Sequence, residues 1–259
     1  MAIRSILINV TDVHRSVDFY RRHLGVEVLE QSEEAAVLDA VTATLRLERL
    51  DPERAEESTF VTDDLQRGFR HIGFKVADID ARAAALHEAD VPFHLEPLNA
   101  EGDVRLTFFY DPDGTMVELV EGPLQYHEVY DRELVDADWA LGTPSRPRFD
   151  HVGETVADLG VTQEYYGALG YRLMAGIHQP GDSRGFEIAF LRDGDSSLEI
   201  FTFERGEKTT REPQVGGPGF AAVVLDGDAA PVGATPVGTA FGTELVADPD
   251  GLVHAVVQA

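Results

Sequence analysis

Histidines and carboxylates set the chemistry open to this chain. It has nine histidines and no cysteine. Disulfides, thiolate ligands and a cysteine nucleophile are therefore excluded, and any metal must be held by histidine and carboxylate. In the run Arg70-His71-Ile72-Gly73-Phe74-Lys75-Val76, strand alternation puts Ile72, Phe74 and Val76 on one face. His71, Gly73 and Lys75 share the other. In the strand that starts at Met116, Val117 and Leu119 take the apolar side and leave Glu118 opposite. Taken alone, each such polar residue would usually face solvent. His14, His23 and His87 fall on helical stretches and read as solvated. His94, His127, His178 and His254 lie in strands or linkers with no carboxylate at ligand spacing and read as structural. Arg105, Arg172 and Arg184 could each meet an anionic substrate group, as any surface arginine could.

These strands belong to a repeat. Val10–Val28 (VTDVHRSVDFYRRHLGVEV) and Val156–Met174 (VADLGVTQEYYGALGYRLM) each pass from a strand end through an Asp into an amphipathic helix carrying Tyr, then stop at Leu-Gly. Gly25 and Gly170 stand where a helix C-cap favours a left-handed residue. A second pair of segments, DPDGTMVEL from Asp111 and DPDGLVHAV from Asp248, opens on a turn in which Pro presets φ and Gly supplies φ > 0. Four modules follow, at about 3–50, 69–121, 148–204 and 217–259. In the first three, a strand leads to a helix and then to three strands. The fourth is eroded, because AAPVGATPVGT is too rich in Pro and Gly for a good helix. Segments 51–68 and 122–147 read as linkers. By chain order, 1–121 holds one module pair and 148–259 the other. In each strand the apolar face would meet the module's helix, and the opposite face would line a cup.

The repeated βαβββ unit, the Val-x-Asp opening and the DPDG-x-x-x-Glu ending resemble the vicinal oxygen chelate superfamily, which includes glyoxalase I, bleomycin resistance proteins and extradiol dioxygenases. The likeness covers nearly the whole chain outside the linkers. It implies an α+β, glyoxalase-like fold: four βαβββ modules forming two cupped mixed sheets with helices on the outside. Metal ligands in that family come from the first and last strands of a module. Carried over, the positions fall on Ser5 and Arg46, on His71 and Glu118, on His151 and Glu199, and on Ala221 and Ala255. The two inner modules keep both ligands and the outer two have lost both. Tight binding needs three or four protein ligands. This favours one cup shared by modules two and three, with His71, Glu118, His151 and Glu199 around one divalent ion (Zn, Ni, Co, Fe or Mn). The rival arrangement is sequential pairing with a dimer completing the site. Glu154 does not fit: it falls on the helix-facing side between Val152 and Val156, so the strand must twist outward or an arginine must pair with it.

Such a metal could chelate two adjacent substrate oxygens and stabilise an enediolate or similar anion. Glu118 and Glu199 are then the catalytic candidates, one remaining a ligand while the other moves a proton. This is glyoxalase-like lyase or isomerase chemistry. An iron-dependent extradiol dioxygenase is the alternative enzyme. It would carry a Tyr three residues before the DPDG turn and a His somewhat earlier, where this chain has Phe108 and the His-free stretch Asn99–Val104. A non-catalytic binding protein holding a planar ligand is the third reading.

Composition bounds the rest. Apolar residues make up 43% of the 259, enough for a packed core, and no run approaches the length of a membrane span. The N-terminus reads as a strand rather than a signal peptide, so a cytoplasmic location is expected. The formal charge is −26, with lysine only at Lys75 and Lys208. Such a field disfavours nucleic acid and anionic membranes as partners. It leaves a small-molecule substrate and a monomer or homodimer as the expectation. The dispersed acidity resembles that of proteins from halophilic organisms, where salt screens dense surface carboxylate.

Overall fold

The computed structural model describes residues 3–53 and 55–258. The first module comprises β1 (Ile3–Val10), α1 (Val13–Leu24), β2 (Glu27–Gln31), β3 (Ala35–Asp39) and β4 (Thr44–Arg49). The second comprises β5 (Gly68–Val76), α2 (Ile79–Glu88), β6 (Phe93–Ala100), β7 (Val104–Tyr110) and β8 (Met116–Glu121). Next come β9 (Glu128–Val129) and α3 (Arg132–Ala140), inside the segment expected to be a linker. The third module is β10 (Arg148–Thr155), α4 (Leu159–Gly167), β11 (Arg172–His178), β12 (Phe186–Asp193) and β13 (Ser196–Phe203). The fourth is β14 (Gly219–Asp226), β15 (Thr235–Ala240), β16 (Thr243–Ala247) and β17 (Val253–Val257), with no helix after its first strand.

An aspartate opens each of the four helices among the described residues: the side chains of Asp12, Asp78, Asp131 and Asp158 accept backbone N–H groups of the first turn. Gly25 closes α1 in the left-handed conformation, as its position suggests. Gly170 does the same after α4: its φ is 95°, and the bonds Gly170 N–H to Gly167 O and Tyr171 N–H to Tyr166 O close the helix end in a Schellman motif.

The sheets do not follow the order of the modules. One has the order β15-β16-β17-β14-β1-β4-β3-β2 and joins the outer modules. The other has the order β6-β7-β8-β5-β10-β13-β12-β11-β9 and joins the inner ones. In each, the first strands of two modules meet antiparallel at the centre, β1 with β14 and β5 with β10. Sheet membership thus crosses the halves 1–121 and 148–259. One apolar core, including Ile6, Ile8, Tyr20, Ile72, Phe74, Val152 and Tyr166, runs between the two sheets. Bonds between elements tie them as well. The Tyr20 hydroxyl of α1 donates to Asp111 of the second module's turn at 2.7 Å, and Tyr166 of α4 donates to Asp248 of the fourth module's at 2.9 Å.

Candidate metal centre

The central strand pair of the nine-stranded sheet builds the site. His71 on β5 lies opposite Gly153 on β10, and His151 lies opposite Gly73. Each imidazole extends across the neighbouring strand over that glycine, so a Cβ at Gly73 would overlap the His151 ring and one at Gly153 would overlap the His71 ring. Two His-x-Gly segments running antiparallel thereby bring the Nε2 atoms to 3.0 Å. The parallel partners β8 and β13 deliver Glu118 beside Gly73 and Glu199 beside Gly153. Glu118 Oε2 stands 2.8 Å from His151 Nε2 and 3.2 Å from His71 Nε2. Glu199 Oε2 stands 3.0 Å from His71 Nε2 and 3.3 Å from His151 Nε2.

The ligand atoms of these four buried residues all lie within 4.8 Å of one another. At bond lengths of about 2.0–2.2 Å, donors around a tetrahedral or octahedral ion are about 3.0–3.4 Å apart. The observed spacings match that shell, and two neutral-capable nitrogens with two carboxylate oxygens are the donors a borderline divalent ion takes. The residues present therefore fit a metal. The electrostatics point the same way. Burial would raise the Glu118 carboxyl, but hydrogen bonds from His151 and His71 hold it down at about 2. Burial would lower His151, but the Glu199 charge and bonds to Asp150 and Glu118 raise it well above its ordinary value. Both shifts favour positive charge between Glu118 and His151.

His151 has a support that His71 lacks. The β5–β10 register slips between Phe149 and His151, and the extra residue, Asp150, brings its carboxylate to 3.1 Å from His151 Nδ1. Lys75, close enough to act on Asp150 electrostatically, helps keep it ionised. His71 packs instead against the aromatic rings of Phe108 and Phe201.

Cavities open on both sides of the cluster. The larger, about 320 Å³, is lined by His71, both glutamates, and apolar side chains of β6, β7 and β12. The smaller, about 60 Å³, is lined by His151, both glutamates, Lys75, Asp150, Tyr126 and Asp138. Tyr126 and Asp138 come from the segment expected to be a linker, with Asp138 on α3, and the Tyr126 hydroxyl donates to Asp138 at 2.9 Å.

All four expected ligands are thus brought together, by the pairing of modules two and three. At the corresponding positions of the other sheet stand Ser5, Arg46, Ala222 and Ala255; a register slip at Ala221, matching the one at Asp150, moves the third position one residue beyond the expected Ala221. His94, expected to be structural, lines the larger cavity. Asp150 was missed because strict alternation turns it away from His151, and a bulge leaves no sequence signal here. His23, expected to be solvated, is buried beside Phe19. Glu154 is fully buried, and among the described residues no arginine pairs with it; its carboxyl sits against Asp248 and the Tyr166 hydroxyl. Burial, with Asp248 close by, raises its pKa well above the usual carboxyl range. A shift in that direction favours the neutral acid, which needs no cation.

A cupped α+β sheet pair with a buried His₂Glu₂ cluster at the seam between two modules defines a metal-site scaffold of the glyoxalase type. The glyoxalase/bleomycin resistance protein/dioxygenase superfamily model matches residues 2–119. The chain is 31% identical over 127 residues to the uncharacterized protein YraH of Bacillus subtilis, spanning 46% of this chain and 97% of that one. It is also 31% identical over 150 residues to a lactoylglutathione lyase of Pseudomonas aeruginosa, spanning 46% and 81%. Glyoxalase I from Zea mays shares the fold with a TM-score of 0.68 at 19% identity, over 99% of this chain and 92% of that one. The chain belongs to the glyoxalase/bleomycin resistance protein/dioxygenase superfamily.

Proposed function

We propose that the chain is a metal-dependent lyase or isomerase that moves a proton on a small substrate bearing adjacent oxygens. His71, Glu118, His151 and Glu199 would hold one divalent ion of the Zn, Ni, Co, Fe or Mn group. The observation that carries this reading is the convergence of four donor atoms from two modules at coordination spacing. The lactoylglutathione lyase among its relatives supports the reaction class.

Bound there, the ion supplies Lewis-acid polarisation of substrate oxygens. The chain supplies the rest. His151, fixed through Asp150, is the anchored donor. Glu118, bonded to both imidazoles and 4% exposed, is the more firmly held carboxylate. Glu199, 11% exposed on a wall of the larger cavity, is better placed to take a proton from a substrate carbon and return it to a neighbouring one. The apolar walls keep water from competing for that proton.

The test is elemental analysis of the purified protein beside His71→Ala and His151→Ala. Both variants are expected to lose the same metal, from about one equivalent to under about a tenth, given how strongly affinity depends on ligand count. Full metal retention in either variant, with its fold intact by circular dichroism, contradicts the shared site.

A further inference from the structure

We infer that the substrate is compact and uncharged, with adjacent oxygens at one end and an apolar body about the size of a single ring. This rests on the metal-centre reading above and concerns what lies beyond the reacting oxygens. The larger cavity, at about 320 Å³, is near the lower end of the roughly 300–1,000 Å³ range of ligand sites. Its walls are Leu95, Leu98, Leu106, Phe108, Phe186 and Phe201. Leu98 faces Leu106 and Leu95 faces Phe108 across β6 and β7, which makes a continuous apolar wall running out from His71.

Charge is the deciding feature. Among the described residues lining this cavity the permanent cation is Arg70, the carboxylates are Asp64, Glu118 and Glu199, and the other polar side chains are His71, His94 and Gln179. A divalent ion together with Arg70 would cancel the three carboxylates. Arg70 itself is already taken: it is buried, 2.9 Å from Asp64, and donates to the Asp63 carbonyl. Lys75, lining the smaller cavity, is matched there by Asp138 and Asp150. The three arginines that could have met an anion are also paired, Arg105 with Asp80, Arg172 with Asp131, and Arg184 with Asp182 and Asp64. A substrate carboxylate or phosphate entering the cavity would be desolvated against Leu and Phe with no unpaired arginine or lysine to receive it. The molecule's charge of −26 would oppose its approach as well. A thiol-peptide conjugate, with its carboxylates, is the kind of ligand this cavity rejects.

The experiment uses zinc-loaded full-length protein and two probes, 2-hydroxy-1-phenylethanone and its 4-carboxylate. They share the ketol head and differ by one charge at the far end. Calorimetric titration is expected to give a Kd at least about tenfold lower for the neutral probe, in line with the penalty of an unpaired buried charge. Leu98→Arg, at a rim position 37% exposed, supplies a guanidinium without disturbing the core and is expected to narrow the gap by about threefold or more. Equal or tighter binding of the carboxylate by the unaltered protein overturns the inference, as does failure of the loaded protein to bind the neutral probe or an unchanged gap in Leu98→Arg. Zinc content is measured on the same sample. Protein that takes up none of Zn, Ni, Co, Fe or Mn refutes the metal-centre reading, whereas loaded protein that prefers the carboxylate refutes only the substrate class.

Discussion

Glycine matters as much as histidine at the centre of this site. Gly73 and Gly153 each lie under the imidazole of the opposite strand, and the space a methyl group would need is filled by the ring. Backbone freedom is not the reason, since neither residue has a left-handed φ. Close approach is. Gly73→Ala must push His151 away from Glu118 and Glu199, so metal affinity is expected to fall by about 10- to 100-fold, the size of effect seen when the support of a ligand is lost. Competition with a chromophoric chelator measures it. Affinity within about twofold of the unaltered protein would show that the ring can move without cost.

Bonds between elements hold the two sheets in register. Tyr20 and Tyr166 reach from the helices of odd modules to the turn aspartates of even ones, and Asp111 and Asp248 cap their own turns with the second oxygen. Glu154 lies on the strand beside the second of these joints. Its pKa is raised in the folded state, against about 4.3 in an unfolded chain. The sign follows: the folded chain binds this proton more tightly, so its contribution to stability is complete below about pH 4 and is lost as pH rises toward the folded pKa. Glu154→Gln imitates the protonated form at every pH. It is expected to raise Tm at pH 8 by about 2–4 °C, equivalent to about 1 kcal/mol in a domain of this size, with a smaller gain at pH 5. Thermal denaturation of both proteins across that range checks it. A gain that does not grow with pH would mean that Glu154 is not held protonated.

At the scale of the molecule, the sheet pairing determines what the chain can hold. The family model covers residues 2–119, which are modules one and two, yet these lie in different sheets here. The four candidate ligands come together only because β5 of the second module pairs with β10 of the third. The surface sets a second global property. A charge of −26 on 259 residues is a large self-repulsion, and the screening length falls from about 10 Å to about 3 Å between 0.1 M and 1 M salt. Tm is therefore expected to rise by several degrees over that interval of NaCl. A flat or falling Tm, read by circular dichroism, would argue against adaptation to high salt. No helix among the described residues is long and apolar enough to cross a membrane.

The order of strands and helices in the first three modules, and the strand faces that carry His71, Glu118, His151 and Glu199, were legible in the sequence, because alternation, the capping aspartates and the DPDG turns are local signals. His71 and Glu118 declared their shared face through Ile72, Phe74, Val117 and Leu119, each a neighbour along its own strand. Three things were not legible. That α3 and Tyr126 help enclose the site depends on how residues 122–147 pack. That Asp150 supports His151 depends on one slipped register. That the Glu154 carboxyl is pushed toward its neutral form depends on its complete burial and on Asp248, far along the chain. Each arises where separate strands meet, and sequence patterns report the faces of an element but not what the fold sets against them.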